Sequence, residues 1–195
     1  MTASASKQLR TDVRRMSDQT DALREDAAAI FAVTTSEQWT WSPDANTWSM
    51  ALVVEHLNTV LRLSLPPLKG AVERLRAEGG RSDAIPKYSL LERLFIRVVS
   101  PNPPFKSPVP PIFLPQKPAD PSGVTGPMFI ADLEQLATIV RAADGLDLRR
   151  IKVASPASDK MRLTLGTWLE ATVMHNAYHW EQVRALRANA KFPKS

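Results

Sequence analysis

The stretch LGTWLEATVMHNAYHWEQV, residues 165–183, decides how the rest of the chain is read. Leu165, Trp168, Thr172, His175, His179, Gln182 and, just beyond, Leu186 recur in steps of three and four. That is the period of one helix face. Because large apolar groups share this row with two imidazoles, the histidines belong to the face a helix turns toward its neighbours. His175 and His179 lie one turn apart on it, close enough for both side chains to reach one point. The chain has only three histidines. The third, His56, sits in MALVVEHLNTV, where Val53, His56, Val60 and Leu63 again share a face.

Working outward, two more segments carry the same period. Leu9, Val13, Met16, Thr20, Leu23, Ala27 and Ile30 alternate steps of four and three and predict a helix over 7–33. Phe129, Leu133, Leu136, Val140 and Ala143 predict another over 127–145, stopping near Gly145. Ser49 is placed to cap the helix that carries His56, and Thr164 to cap the last one. Pro66 and Pro67 are expected to end or kink the His56 helix, since each removes an amide donor. The pattern resumes at Leu68, Val72 and Leu75 and stops at Gly79-Gly80. Residues 86–100 form a short amphipathic helix. Residues 101–127 hold ten of the sixteen prolines, so they are neither helix nor central strand. Phe105, Ile112, Phe113 and Leu114 make this segment an extended, ordered strap near the site rather than a linker.

No strand alternation competes with these patterns, and the polar run DLRRIKVASPASDKMR simply leads into the last helix. The expected fold is all-α: one domain over 1–195, an antiparallel four-helix bundle with an inserted short helix and the Pro-rich strap. Between the first two long helices, Trp39, Trp41 and Trp48 crowd a turn-forming link and either pin it to the core or wall a pocket.

Facing helices of a bundle are a place where proteins build metal sites. Three imidazoles suit Zn²⁺, Ni²⁺, Cu²⁺ or Fe²⁺, and three ligands leave a position open for water or substrate. His56, His175 and His179 are therefore the candidate ligands. Thr59, Thr172 and Gln182, each three positions from a histidine on its own face, are candidates to orient a ligand or a bound water. A bond to backbone is the plainer role for each. Val53, Val60 and Trp168 are expected pocket walls. Glu55 and Glu181 adjoin the histidines in sequence but point elsewhere.

Composition narrows the classes. With no cysteine, disulfides, thiolate ligands and a cysteine nucleophile are excluded. The net charge of +5 is spread among acidic residues without a basic run, so specific nucleic-acid binding is not expected. No run approaches a membrane span of ~20 apolar residues. The first residues lack the apolar core of a signal peptide, which leads to an expected cytoplasmic location.

WSPDANTWSMALVVEHL, followed over a hundred residues later by LGTWLEATVMHNAYHWEQV, resembles the DinB-like superfamily, bacterial four-helix bundles also described as YfiT-like metal-dependent hydrolases. Trp48-Ser49, His56-Leu57 and His175, His179, Gln182 match the W-S start, the H-L helix and the H-x₃-H-x₂-Q helix of that family. The resemblance covers roughly 7 to 78 and 128 to 190. It implies a divalent metal, nickel or zinc, on the three histidines, a homodimer, and a small-molecule substrate. Characterised relatives include thiol S-transferases and isomerases, which implies a low-molecular-weight thiol as co-substrate. A metal-dependent transferase or hydrolase is thus the leading expectation, and a non-catalytic metal-binding or stress-related bundle the alternative. Leu52, where relatives often carry an acidic residue or glutamine, and the long strap depart from the family pattern.

Overall fold

The computed structural model describes residues 8–105, 108–115 and 123–194. These are mostly helical. The α-helices are α1 (Thr11–Ala32), α2 (Ser36–Thr40), α3 (Met50–Ala77), α4 (Leu90–Val98), α5 (Thr125–Ala142) and α6 (Leu165–Arg187). A 3-10 turn spans Pro111–Phe113, and one hairpin, β1 (Lys152–Ser155) and β2 (Ser158–Thr164), runs directly into α6. Among the described residues, no helix is long and apolar enough to cross a membrane.

Each of the four long helices packs on two of the others: α1 lies against α5 and α6, and α3 lies against α5 and α6. The predicted rows face inward. Val13, Met16, Thr20, Leu23 and Ala27 of α1 are buried, as are Phe129, Leu133, Leu136 and Val140 of α5. Trp180 closes one end of the core. Its ring stacks on Phe129 at 5.8 Å and meets Phe31 edge-on, while its indole N–H donates to Asp26 at 2.6 Å. That satisfies the one polar atom such a buried ring carries.

Three local expectations are revised. The first concerns Pro66 and Pro67, which do not end their helix: α3 is continuous from Met50 to Ala77. Each proline removes a donor from the carbonyl four residues earlier, a cost of about 3 kcal/mol or more. Against that, Leu61, Leu65, Leu68, Val72 and Leu75, on both sides of the pair, are all buried. At about 1.5–3 kcal/mol for each such side chain, burial outweighs the lost bonds.

The second revision is the hairpin, in the run read as a polar lead-in. Val153 pairs with Leu163 and both are buried, but the register shifts between Ala154 and Ser155. Most β2 side chains are exposed, so alternation is too short to stand out from polarity.

Third, the link after α1 holds the short helix α2, with Thr35 and Gln38 forming a capping box. Of its tryptophans, Trp39 packs edge-on to Phe31 and Trp41 to Phe192, so both pin the link to the core, whereas Trp48 turns toward the histidines.

The C-terminus of α3 is a Schellman cap. Gly80 N–H donates to the Leu75 carbonyl at 2.8 Å and Gly79 N–H to the Arg76 carbonyl at 3.3 Å, with Gly79 at φ +66°. Nothing lies within 4 Å of a Cβ built on Gly79. Gly79→Ala is therefore expected to cost about 1 kcal/mol through backbone strain alone, measured as a lowered urea midpoint with an unchanged slope. A loss several times larger would show that packing, not the left-handed conformation, matters there.

Candidate metal centre

α3 and α6 bring His56 and His175 together across 119 residues of sequence, with Nε2 to Nε2 at 3.1 Å. His179, one turn along α6, completes the set, and one ring nitrogen from each of the three lies within 4.8 Å of the others. Two imidazole ligands at about 2.0–2.1 Å from a tetrahedral ion have nitrogens a little over 3 Å apart. The His56–His175 separation already fits that spacing.

Two of the rings are held by acceptors. His56 Nδ1 lies 2.7 Å from the main-chain carbonyl of Phe113, in the 3-10 turn of the strap. A carbonyl only accepts, so Nδ1 carries the hydrogen and Nε2 keeps its lone pair for the centre. His179 Nδ1 lies 3.0 Å from Gln182 Oε1 and is oriented in the same way. Such outer partners fix the tautomer of metal-binding histidines. Trp48 stacks on His179 with an interplanar angle of 23° and also touches His56, while Tyr178 packs edge-on against His179.

The electrostatics keep these imidazoles neutral. Burial pushes His175 well below the usual histidine range, and the neighbouring His179 and His56 push it further. His179 falls to about 3, through burial first and then His56, with the Gln182 bond acting against the fall. Burial also lowers His56, opposed by the Phe113 carbonyl. A neutral ring is the form that binds a metal ion.

The cluster opens into a cavity of about 850 Å³ between α3, α4, α6, the hairpin and the strap. Val60, Trp168, Thr172 and Gln182 line it as expected. Val53 does not: it is buried at 1 % exposure in the core. Thr59 is likewise buried on α3, outside the lining. Thr172 engages the carbonyl of Trp168 at 2.7 Å, a helix back-bond rather than a contact to a histidine. Parts of the expected strap, 106–107 and 116–122, lie outside the described residues. Phe105, Ile112 and Leu114 are about half exposed and so do not anchor it. Its described hydrogen bond to the domain is made by the Phe113 carbonyl, and Pro103, Pro108, Val109, Pro110 and Phe113 line the cavity. No sequence signal marks a main-chain carbonyl for such a role.

Sequence reasoning also passed over Glu92. Its Oε2 accepts from the Ser89 amide and hydroxyl, and its Oε1 accepts from the hydroxyls of Thr164 and Thr167 at 2.7 and 2.8 Å. One buried carboxylate thus caps α4 and ties it to the start of the histidine-bearing α6. The signal was present: Ser89-Leu90-Leu91-Glu92 spells a capping box.

Comparison with protein-family models, with curated proteins and with solved structures gives no match. The functional reading therefore rests on the geometry of the site.

Proposed function

We propose that this protein is a metal-dependent enzyme of the thiol S-transferase or hydrolase type, using a divalent ion, nickel or zinc, held by His56, His175 and His179. The observation that carries this reading is the convergence of three neutral imidazoles, two with their outer nitrogens tied to acceptors, at the wall of a large cavity. The residue pattern supports a DinB-like assignment, with α1, α3, α5 and α6 as the antiparallel four-helix bundle of that superfamily.

A bound ion of this kind lowers the pKa of a water or thiol and holds it for attack. The protein's own part is orientation and exclusion. Phe113 and Gln182 fix two rings, Trp48 covers them, and the apolar walls keep bulk water from the reacting group. No carboxylate lines the cavity among the described residues, which favours an external nucleophile that needs no protein base. The same fact keeps a non-catalytic metal-binding role as the second reading.

Metal analysis of protein prepared without an affinity tag tests the proposal, with about one equivalent expected. Wild type that stays metal-free after incubation with nickel and zinc would end it. Replacing the outer partner is a finer probe. Gln182→Ala is expected to weaken metal affinity roughly 10–100-fold while leaving stoichiometry at saturation unchanged, read by competition with a chelating dye. Unaltered affinity would remove Gln182 from the site.

A further inference from the structure

The lining of the cavity is more informative than its size. Its volume of about 850 Å³ falls in the upper part of the range that encloses drug-sized molecules. Among the described residues, no Asp, Glu, Lys or Arg contributes to it, although the chain as a whole is 23% charged. Several polar atoms on its walls are already engaged with the protein. The Trp168 indole N–H donates to the Val153 carbonyl at 2.8 Å, the Thr172 hydroxyl donates to Trp168, and Gln182 Oε1 accepts from His179. The Ser155 hydroxyl accepts from the Ala157 amide. These residues offer a ligand mainly methyls, methylenes and ring faces.

The aromatic groups are placed at two stations. Trp48 lies over the histidine end, and Phe95 of α4 meets Trp168 of α6 edge-on at 5.3 Å. Val60, Val98 and Met161 fill wall between and around them. Away from the histidine end, an anion loses its hydration against walls that carry no cationic side chain, at a cost of several kcal/mol. An apolar molecule gains about 25 cal/mol for each Å² of apolar surface covered.

From this lining we infer that the cavity selects an uncharged, largely apolar molecule of drug-like size, with a single donor atom reaching the three histidines. The inference rests on the reading of this cavity as the substrate site. It narrows that reading: a thiol co-substrate bearing carboxylates keeps them in solvent, and the enclosed part is the neutral, hydrophobic partner.

A matched pair of fluorescent dyes tests it: anilinonaphthalene sulfonate and its sulfonate-free parent, phenylnaphthylamine. Both are titrated into the full-length protein, metal-loaded and chelator-treated, with metal content measured on the same samples. The neutral dye is expected to bind saturably at one site and the sulfonate at least about tenfold more weakly. Val98→Arg, which puts a cation in the wall, is expected to bring the two affinities together or reverse their order. Leu91→Gln, on the outer and 70% exposed face of α4, is expected to leave the preference untouched.

Equal or tighter binding of the sulfonate by wild type overturns the inference, as does an unchanged preference in Val98→Arg. Loss of dye binding in Leu91→Gln does so too, because it places the dye outside the cavity. Protein that takes up no metal yet keeps the neutral preference refutes the metal centre and leaves this inference standing. Metal-loaded protein that favours the sulfonate does the reverse.

Discussion

His175→Ala is expected to abolish stoichiometric metal binding, lowering affinity at least about a hundredfold, with the helical content of the metal-free protein unchanged. His175 is near both other rings, its Nε2 3.1 Å from that of His56 and its centroid 4.5 Å from that of His179. Removing it leaves two nitrogens, one on each helix, too few for the three-nitrogen set of an open catalytic site. The fold has little to lose, because the polar partner of the His175 side chain is another histidine of the cluster. Elemental analysis and circular dichroism on the same sample check both halves. Retention of a full equivalent by the variant would show that the metal sits elsewhere.

The second large effect is expected at Glu92. Burial acts to raise its pKa, but hydrogen bonds from Ser89, Thr164 and Thr167 outweigh that and hold it at about 2, below the ordinary 4.5. A folded-state pKa depressed to this degree corresponds to stability on the order of 3 kcal/mol. The contribution is fully present above the unfolded pKa and is lost as pH falls from about 5 toward 2. Glu92→Gln keeps one acceptor oxygen but turns the other into a donor facing donors. Its unfolding free energy at neutral pH should fall short of wild type by roughly 3 kcal/mol. That gap should close as pH approaches 2. Urea titrations over this range measure it. A gap independent of pH would mean that shape, not the ionised carboxylate, holds α4 to α6.

The helices and the paired histidines were legible because both are properties of spacing. A row such as Val13, Met16, Thr20 and Leu23 has one low-energy way to bury itself, and His175 and His179 share a helix face whatever surrounds them. The partnership with His56 followed from adjacent helices rather than from any local signal. What was not legible depends on main chain or on tertiary competition. The Phe113 carbonyl carries no side-chain signature. Pro66 and Pro67 stop a helix in isolation, and only the buried leucines on either side carry α3 through. The hairpin hides because its buried positions mix Val153 and Leu163 with the polar Ser155 and Thr164. Val53 and Val60 share a predicted face, yet one is packed into the core and the other lines the cavity, a distinction set by tertiary packing rather than by spacing.

The 119-residue separation of His56 and His175 has a further consequence for a chain without cysteines. An ion shared by these two rings would act as a removable cross-link, closing a loop as long as those of the largest disulfide rings. A permanent bridge over a loop of that length restricts the unfolded chain by about 4 to 5 kcal/mol. An ion does so only while bound, and its stabilising effect grows with the logarithm of its free concentration. The melting temperature of this protein would then report metal supply, rising with each tenfold increase in free ion and settling to the metal-free value under chelation.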